Sequence, residues 1–256
     1  MACGFGLDCD GYKMKTGIVI QARMGSARLP GKVLMPVTPR TTVLDWVLTR
    51  TKLNRVCDEV ILATTTDARD DVLQAYAVAR GIAVYRGSEL DVLARYLGAA
   101  ETFGLDAVVR ITSDCPLIEP SLIAQVIETG WQRGLEYVTT EDYPRGSGDV
   151  EFVLTSLLER IQLRVGAEPY YREHVTTYIA DHLEQFNTVV LQARGLSARP
   201  DLRLCVDEMD DLSVVQTIAE HFAPRMDFTL EESIAFLNIH LEIATLNSHV
   251  MQKTLG

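Results

Sequence analysis

The sequence is poor in cysteine, poor in positive charge, and free of long apolar runs. Its five cysteines (Cys3, Cys9, Cys57, Cys115, Cys205) in 256 residues are odd in number, scattered, and form no C-x-x-C pair. That argues against a disulfide framework or a structural zinc site. Lysine and arginine number 24 against 35 aspartates and glutamates, a net charge of −11. A duplex-binding protein, whose affinity rests on neutralising phosphates, is therefore not expected; one small polyphosphate in a local basic pocket is compatible. No apolar run approaches the ~18 residues of a membrane span. Residues 1–14, with Gly4, Gly6, Asp8, Cys9 and Asp10, lack the apolar stretch of a signal peptide. The expectation is a cytoplasmic protein with neither nucleic acid nor membrane as partner. Two common nucleotide loops are also missing. There is no G-x-G-x-x-G, and the run from Gly25 to Gly31 is one residue too long for G-x-x-x-x-G-K-[ST], with Val33 where the hydroxyl belongs.

What is present is an alternation of strands and helices, of a length suited to one α/β domain. Residues 1–15 are Gly-rich and aperiodic and read as a disordered extension; residues 16–256 read as a single domain. Strands are expected at Gly17–Ala22, Glu59–Thr64, Ile82–Tyr85 and Asp106–Ile111. Helices are expected at Thr42–Leu53, Arg69–Arg80, Glu89–Phe103 and Pro120–Arg133, two of them closed by Gly81 and Gly104. This spacing implies right-handed crossovers, a mostly parallel central sheet, and helices on both faces. An inserted segment of about residues 137–195 then loosens the pattern. Strands at Leu135–Thr140 and Val150–Leu154 flank the turn-rich loop Tyr143–Gly148. Helices at Ser156–Val165 and Tyr170–Asp181 and a strand at Asn187–Gln192 follow. A strand at Leu202–Val206 and helices at Asp211–Phe222 and from Leu230 close the chain. The last starts at a capping box, Thr229 to Glu232, and its stripe Ile234, Leu237, Leu241 and Ala244 is core or dimer surface.

Three places carry chemistry. The loop Gln21–Lys32 follows the first strand. Between Thr16 and Arg40 lie four basic residues (Arg23, Arg28, Lys32, Arg40) and no acidic one. Cations and flexible glycines (Gly25, Gly31) at the carboxyl end of a parallel strand suit a polyphosphate; the bland alternative is a solvated basic turn. Asp114 directly follows the fourth strand and would face that loop across the sheet edge. A carboxylate there calls for an intervening divalent cation, with Mg²⁺ taking one or two carboxylates plus phosphate oxygens and water; the alternative is a turn cap. The run Asp207–Asp211 supplies a second carboxylate. Asp207 is assigned to the metal with Asp114, while Asp210 and Asp211 suit the first turn of a helix. Together these read as nucleotidyl transfer, with the basic loop holding the leaving pyrophosphate.

The stretch Gln21-Ala-Arg-Met-Gly-Ser-Ala-Arg-Leu-Pro-Gly-Lys-Val-Leu34 resembles the opening signature of cytidylyltransferases related to spore coat polysaccharide biosynthesis protein F. These are cousins of the acylneuraminate and 3-deoxy-manno-octulosonate cytidylyltransferases. The likeness continues through Arg86–Leu93, Arg110–Leu117, Asp149–Glu151, Arg172–Thr176, Val206–Leu212 and Leu246–His249. The resemblance implies a nucleotide-diphospho-sugar transferase-like sheet and a homodimer. It implies a Mg²⁺-dependent transfer of CMP from CTP to a sugar acid or sugar phosphate for a surface glycan. Arg23, Lys32, Asp114 and Asp207 would be catalytic, with Asp114 and Asp207 holding Mg²⁺. Gln21, Ala22, Arg23, Gly25, Ser26, Arg28, Lys32, Thr64, Thr65 and Asp114 would bind the nucleotide. Asp149, Glu151, Arg172 and His174 would bind the acceptor, His174 being equally readable as a structural histidine. Ser113 and Met209 stand where many relatives have Gly and Pro, and neither change removes a charge. Cys115 and Cys205, near the carboxylates, have no adjacent base and read as packing residues. Two rival readings are a nucleotide-sugar glycosyltransferase and a non-catalytic regulatory subunit. For the first, the only Asp-x-Asp triplet is Asp8-Cys-Asp10.

Overall fold

The computed structural model describes residues 13–251. Residues 1–12 of the expected extension lie outside the described residues. Lys13 and Lys15 already touch the domain: the Lys13 ammonium meets Asp58 at 2.5 Å, and the Lys15 amide donates to Asp106 at 2.7 Å.

The elements in chain order are β1 (Thr16–Gln21), β2 (Pro36–Thr38), β3 (Thr41–Thr42), α1 (Val43–Leu53), β4 (Glu59–Thr65), α2 (Asp71–Val78) and β5 (Ala83–Gly87). Then come α3 (Val92–Phe103), β6 (Ala107–Thr112), α4 (Pro120–Arg133), β7 (Tyr137–Glu141), β8 (Glu151–Leu154), α5 (Thr155–Val165) and α6 (Pro169–His174). The chain ends with α7 (Thr177–Ala180), β9 (Thr188–Gln192), α8 (Met209–Phe222), α9 (Leu230–Ile239) and α10 (Leu241–Ala244).

Seven strands form one sheet in the order β5-β4-β1-β6-β8-β7-β9, parallel except for β8, which runs antiparallel to both β6 and β7. The β-branched run Ile18-Val19-Ile20 is buried on both faces, as a central parallel strand requires. Ile18 and Ile20 pack with residues of α1, α2 and α4, while Val19 points to the layer holding α3 and α5. A third cluster gathers α8, α9 and the segment Leu202–Val206 over Trp46 of α1. In α4, Gly130 lets the helix lie against Phe152 of β8, where a Cβ would come within 2.5 Å of the ring. The chain runs outward from β1 to β4 and β5, then returns to β6 on the other side of β1. The switch point therefore lies between β1 and β6, and their carboxyl ends open the crevice where such sheets take ligands.

The capping box at Thr229 and Glu232 is formed as read, but three expectations are corrected. Leu202–Val206 adds no strand to the main sheet; it makes one isolated bridge, Arg145 to Arg203, because Leu202, Leu204 and Val206 find their burial under α8 and α9. The single helix expected over Tyr170–Asp181 is broken at Val175. That residue takes φ +52° and buries its side chain in the α3–α5 layer. The final helix stops at Ile239, so Ile234 and Leu237 are core while Leu241 is 63% exposed. The short β2–β3 hairpin was not foreseen.

A buried cation ties the third cluster to the sheet. Arg50 of α1 is 1% exposed; its Nε donates to the Ile118 carbonyl at 2.8 Å and its Nη1 to the Met226 and Phe228 carbonyls at 2.8 and 3.0 Å. Its Nη2 lies 3.6 Å from Glu119, and burial lowers its pKa to about 10. Arg50→Met takes the donor from three carbonyls and the cation from Glu119, which keeps its bonds from Ser121 and the Leu230 amide. The expected loss is about 3–5 kcal/mol, measured by urea denaturation; a loss below about 1 kcal/mol, the size of an exposed pair, contradicts this.

Candidate active site

The loop after β1 is shaped by local bonds. Both Ser26 and Gly31 amides donate to the Met24 carbonyl at 3.0 Å, and the Met24 amide donates to buried Asp70 at 2.7 Å. Asp70 also accepts from Thr65 at the end of β4, so it pins the loop to the sheet edge. Gly31 takes φ +72°, a left-handed conformation that suits glycine, and starts a 3-10 turn, Lys32–Leu34.

The side chain of Lys32, 11% exposed, reaches into the crevice. Its Nζ donates to Asp114 Oδ2 at 2.7 Å and to Asp207 Oδ1 at 2.8 Å. Asp114 is further held by the Thr112 hydroxyl at 2.6 Å, and Asp207 by Arg28 Nη2 at 2.8 Å and by Arg203. The Val206 amide donates to the Asp114 carbonyl at 2.8 Å, clamping the two acidic segments together. Fully buried Asp211 then fixes the backbone around Asp207, accepting from the Asp207 and Glu208 amides at 2.8 and 3.0 Å. It also accepts from Arg203 at 2.9 Å and from Asn247 at 2.8 Å. This capping role is the one read for Asp211 from the sequence.

Burial pushes the Asp114 and Asp207 carboxyls up, but the Lys32 ammonium outweighs it and holds both below the usual carboxylate range. Burial likewise disfavours charged Lys32, and the two carboxylates more than reverse that. Two hard oxygen donors from separate segments thus converge on one cation, a donor set that suits Mg²⁺ or a similar dication. Among the described residues no group of three or more His, Cys, Asp or Glu gathers to hold a metal. The rest of such a shell would come from ligand and water.

A cavity of about 280 Å³ opens above this cluster. Of the residues read as nucleotide-binding, Gln21, Ala22, Arg23, Gly25, Ser26, Arg28, Lys32 and Asp114 line it, together with Asp207. Thr64 and Thr65 do not; both are fully buried at the end of β4. Of the residues read as acceptor-binding, only His174 lines the cavity. Asp149 accepts the Gly146 amide at 2.9 Å and closes its own turn. Glu151 is engaged by Arg110 at 2.6 Å, Thr176 at 2.8 Å and the Tyr137 hydroxyl. Arg172 pairs with Asp91 at 2.7 Å and clips α6 to the start of α3. Those three side chains are committed inside the fold, in pairings that sequence spacing does not reveal. Asp70, Arg203 and Asn247, which organise the site, were not read as site residues, although Asn247 falls in the resembling stretch Leu246–His249; for Arg203 the signal was a polar residue inside the apolar run Leu202–Val206, while the polar surroundings of Asp70 gave none. Two hollows of about 370 Å³ border Cys57 at the other end of the strands, away from this cluster.

The mostly parallel sheet is of the nucleotide-diphospho-sugar transferase-like kind, and its switch point carries a cationic loop on one side and two carboxylates on the other, where such sheets take ligands. The chain belongs to the cytidylyltransferase family, which it matches over residues 17–231. It is 33% identical to spore coat polysaccharide biosynthesis protein SpsF of Bacillus subtilis over 232 residues, 89% of this chain and 95% of that one. The solved structure of a cytidylyltransferase from Leptospira borgpetersenii superposes with a TM-score of 0.83 at 33% identity, covering 90% of this chain and 97% of that one. The fold is shared more distantly with a CMP:2-keto-3-deoxy-manno-octonic acid synthetase solved with CTP. There the TM-score is 0.61 and the identity 17%, over 81% and 99% of the two chains.

The Lys32 cluster makes a prediction about acid stability. A carboxyl held low in the folded state contributes stability that is present above its unfolded pKa of about 3.9 and is lost as pH falls through the folded value. Lys32→Met removes the only cation paired with Asp114 among the described residues. At neutral pH it should cost about 1–3 kcal/mol, less than a fully buried pair, and acid unfolding should move to higher pH. Circular dichroism against pH checks both; an unmoved acid midpoint contradicts the pairing.

Proposed function

We propose that the protein transfers CMP from CTP to a sugar acid or sugar phosphate, with release of pyrophosphate, in a Mg²⁺-dependent reaction supplying a surface polysaccharide. The observation that carries this is the convergence of Lys32, Asp114 and Asp207 beneath a cavity walled by the Arg23–Arg28 loop. Support for CTP and a sugar-type acceptor comes from the family, from the polysaccharide role named for the Bacillus relative, and from the nucleotide named for the octonic acid synthetase.

In this reading an acceptor oxygen forms a bond to the α-phosphorus, and the bond from that phosphorus to the bridging oxygen breaks. Arg23, Arg28 and Lys32 neutralise charge on the β- and γ-phosphates and so stabilise the leaving pyrophosphate. Asp114 and Asp207 would hold the divalent cation, which when bound supplies charge neutralisation at the α-phosphate. Thr112 and Arg203 keep the two carboxylates oriented and ionised. Ala22, which lines the cavity with Gln21, would lie near the base and ribose. We place the protein in the cytoplasm as a homodimer. The described residues contain no helix long and apolar enough to cross a membrane, and β9 leaves one edge of the sheet open to a second copy.

Pyrophosphate release is the direct assay, with CTP, UTP, ATP and GTP each offered against sugar acids and sugar phosphates. Release with CTP and one acceptor class is expected. Asp114→Asn and Asp207→Asn should each lower turnover by about 10²–10³-fold while the circular dichroism spectrum stays native. Wild-type turnover in either variant overturns the metal assignment, and release with another nucleotide overturns CTP.

A further inference from the structure

The family match ends at residue 231, yet the chain beyond it returns to the crevice. After α10, residues 245–251 run in tight turns, with the Ser248 amide on the Thr245 carbonyl at 3.1 Å and the Val250 amide on the Asn247 carbonyl at 3.0 Å. Asn247 is 2% exposed, and Val250 is also buried. The Asn247 Nδ2 donates to Asp211 Oδ1 at 2.8 Å and to the Arg203 carbonyl at 3.0 Å. Four residues further on, the Met251 carbonyl accepts from Arg28 Nη1 at 3.2 Å. This terminal segment thus touches both sides of the Lys32 cluster: the acidic run that carries Asp207, and the loop after β1.

An aspartate carboxylate turns easily about its last torsion unless both oxygens are held. In Asp211, Oδ2 takes the Asp207 and Glu208 amides, while Oδ1 takes Arg203 Nε and Asn247. Because the group is planar, fixing Oδ1 aims Oδ2 at the turn that presents Asp207. Asn247 does this with a neutral donor and so adds no cation that would compete at Asp207. Asp207 in turn holds Arg28 Nη2 at 2.8 Å, and the Met251 carbonyl holds the same guanidinium from its other nitrogen. Asn247 itself does not line the cavity.

We propose that Asn247 is a positioning residue for the triphosphate end of the nucleotide site: through Asp211 it sets Asp207, and with it Arg28, while touching neither nucleotide nor metal. This deepens the cytidylyl-transfer reading, on which it rests for the identity of the ligand; the hold on Asp207 is testable without one.

The test uses the full chain with Mg²⁺ and no acceptor, so that nucleotide binds without transfer. Affinities for CTP and for CMP, which lacks the β- and γ-phosphates, are measured by calorimetry in wild type, Asn247→Leu and Asn247→Ser. Asn247→Leu keeps the volume and loses the donor. It should bind CTP about tenfold more weakly, the size expected of a group that orients a metal-site residue, with CMP affinity kept within about twofold. Asn247→Ser retains a hydroxyl donor and should recover part of the CTP affinity. Amide exchange supplies a readout that needs no nucleotide. In Asn247→Leu the Asp207 and Glu208 amides should exchange about tenfold faster or more, and the β1 amides should not. Wild-type CTP affinity in Asn247→Leu overturns the proposal. An equal fall for CTP and CMP, or faster exchange throughout the sheet, marks a merely structural asparagine and overturns it too. Should Asn247→Leu fail to fold, Val250→Ala carries the same comparison, because it loosens the buried seat of the segment and touches no polar group. A loss for CTP without one for CMP is again expected, and unchanged affinities overturn the proposal. Wild type that binds neither nucleotide overturns the nucleotide reading instead, and exchange at Asp207 and Glu208 still decides Asn247.

Discussion

One ammonium group shared between two carboxylates organises the upper edge of the sheet. Lys32 reaches Asp114 and Asp207 simultaneously, and each of the three is presented by a different segment: the loop after β1, the turn after β6 and the start of α8. Nothing in the parallel sheet itself requires the last of these to be there. It is brought in by the Val206 amide on the Asp114 carbonyl and held by Asp211, whose carboxylate gathers two backbone amides, Arg203 and Asn247. The C-terminal α8–α9 cluster, packed on α1 and anchored through Arg50, is the scaffold that delivers Asp207.

Much of this was legible in the sequence, and the reasons it was legible are local. The strands β1, β4 and β6 announce themselves as β-branched runs buried on both faces, and α3 and α4 end on the glycines that adopt the left-handed conformation. Asp114 stands out because it follows a buried strand directly. Asp207 stands out through its acidic run, although the segment before it is not a strand of the sheet. What was not legible depends on distant partners. Glu151 and Arg172 look available along the chain, yet each is taken by a residue 41 or 81 positions away, Arg110 and Asp91.

The charges around Lys32 are balanced within the chain. Around Lys32 every cation has a carboxylate, so the cluster is internally compensated. On the proposed function, an acidic chain of net charge −11 would meet a polyanionic ligand with this arrangement and need no basic surface, because screening confines the long-range field to roughly 8 Å at physiological salt. Local contacts then decide. A phosphate that draws Lys32 away leaves Asp114 and Asp207 facing each other, partly buried, with Arg28 and Arg203 on Asp207 alone. Asp114 would then keep the Thr112 hydroxyl but no ion-pair partner among the described residues, and a replacement cation would favour its ionised form. The contacts that stabilise the cluster would thus couple any release of Lys32 to the entry of another positive charge, the place the proposed divalent ion would take.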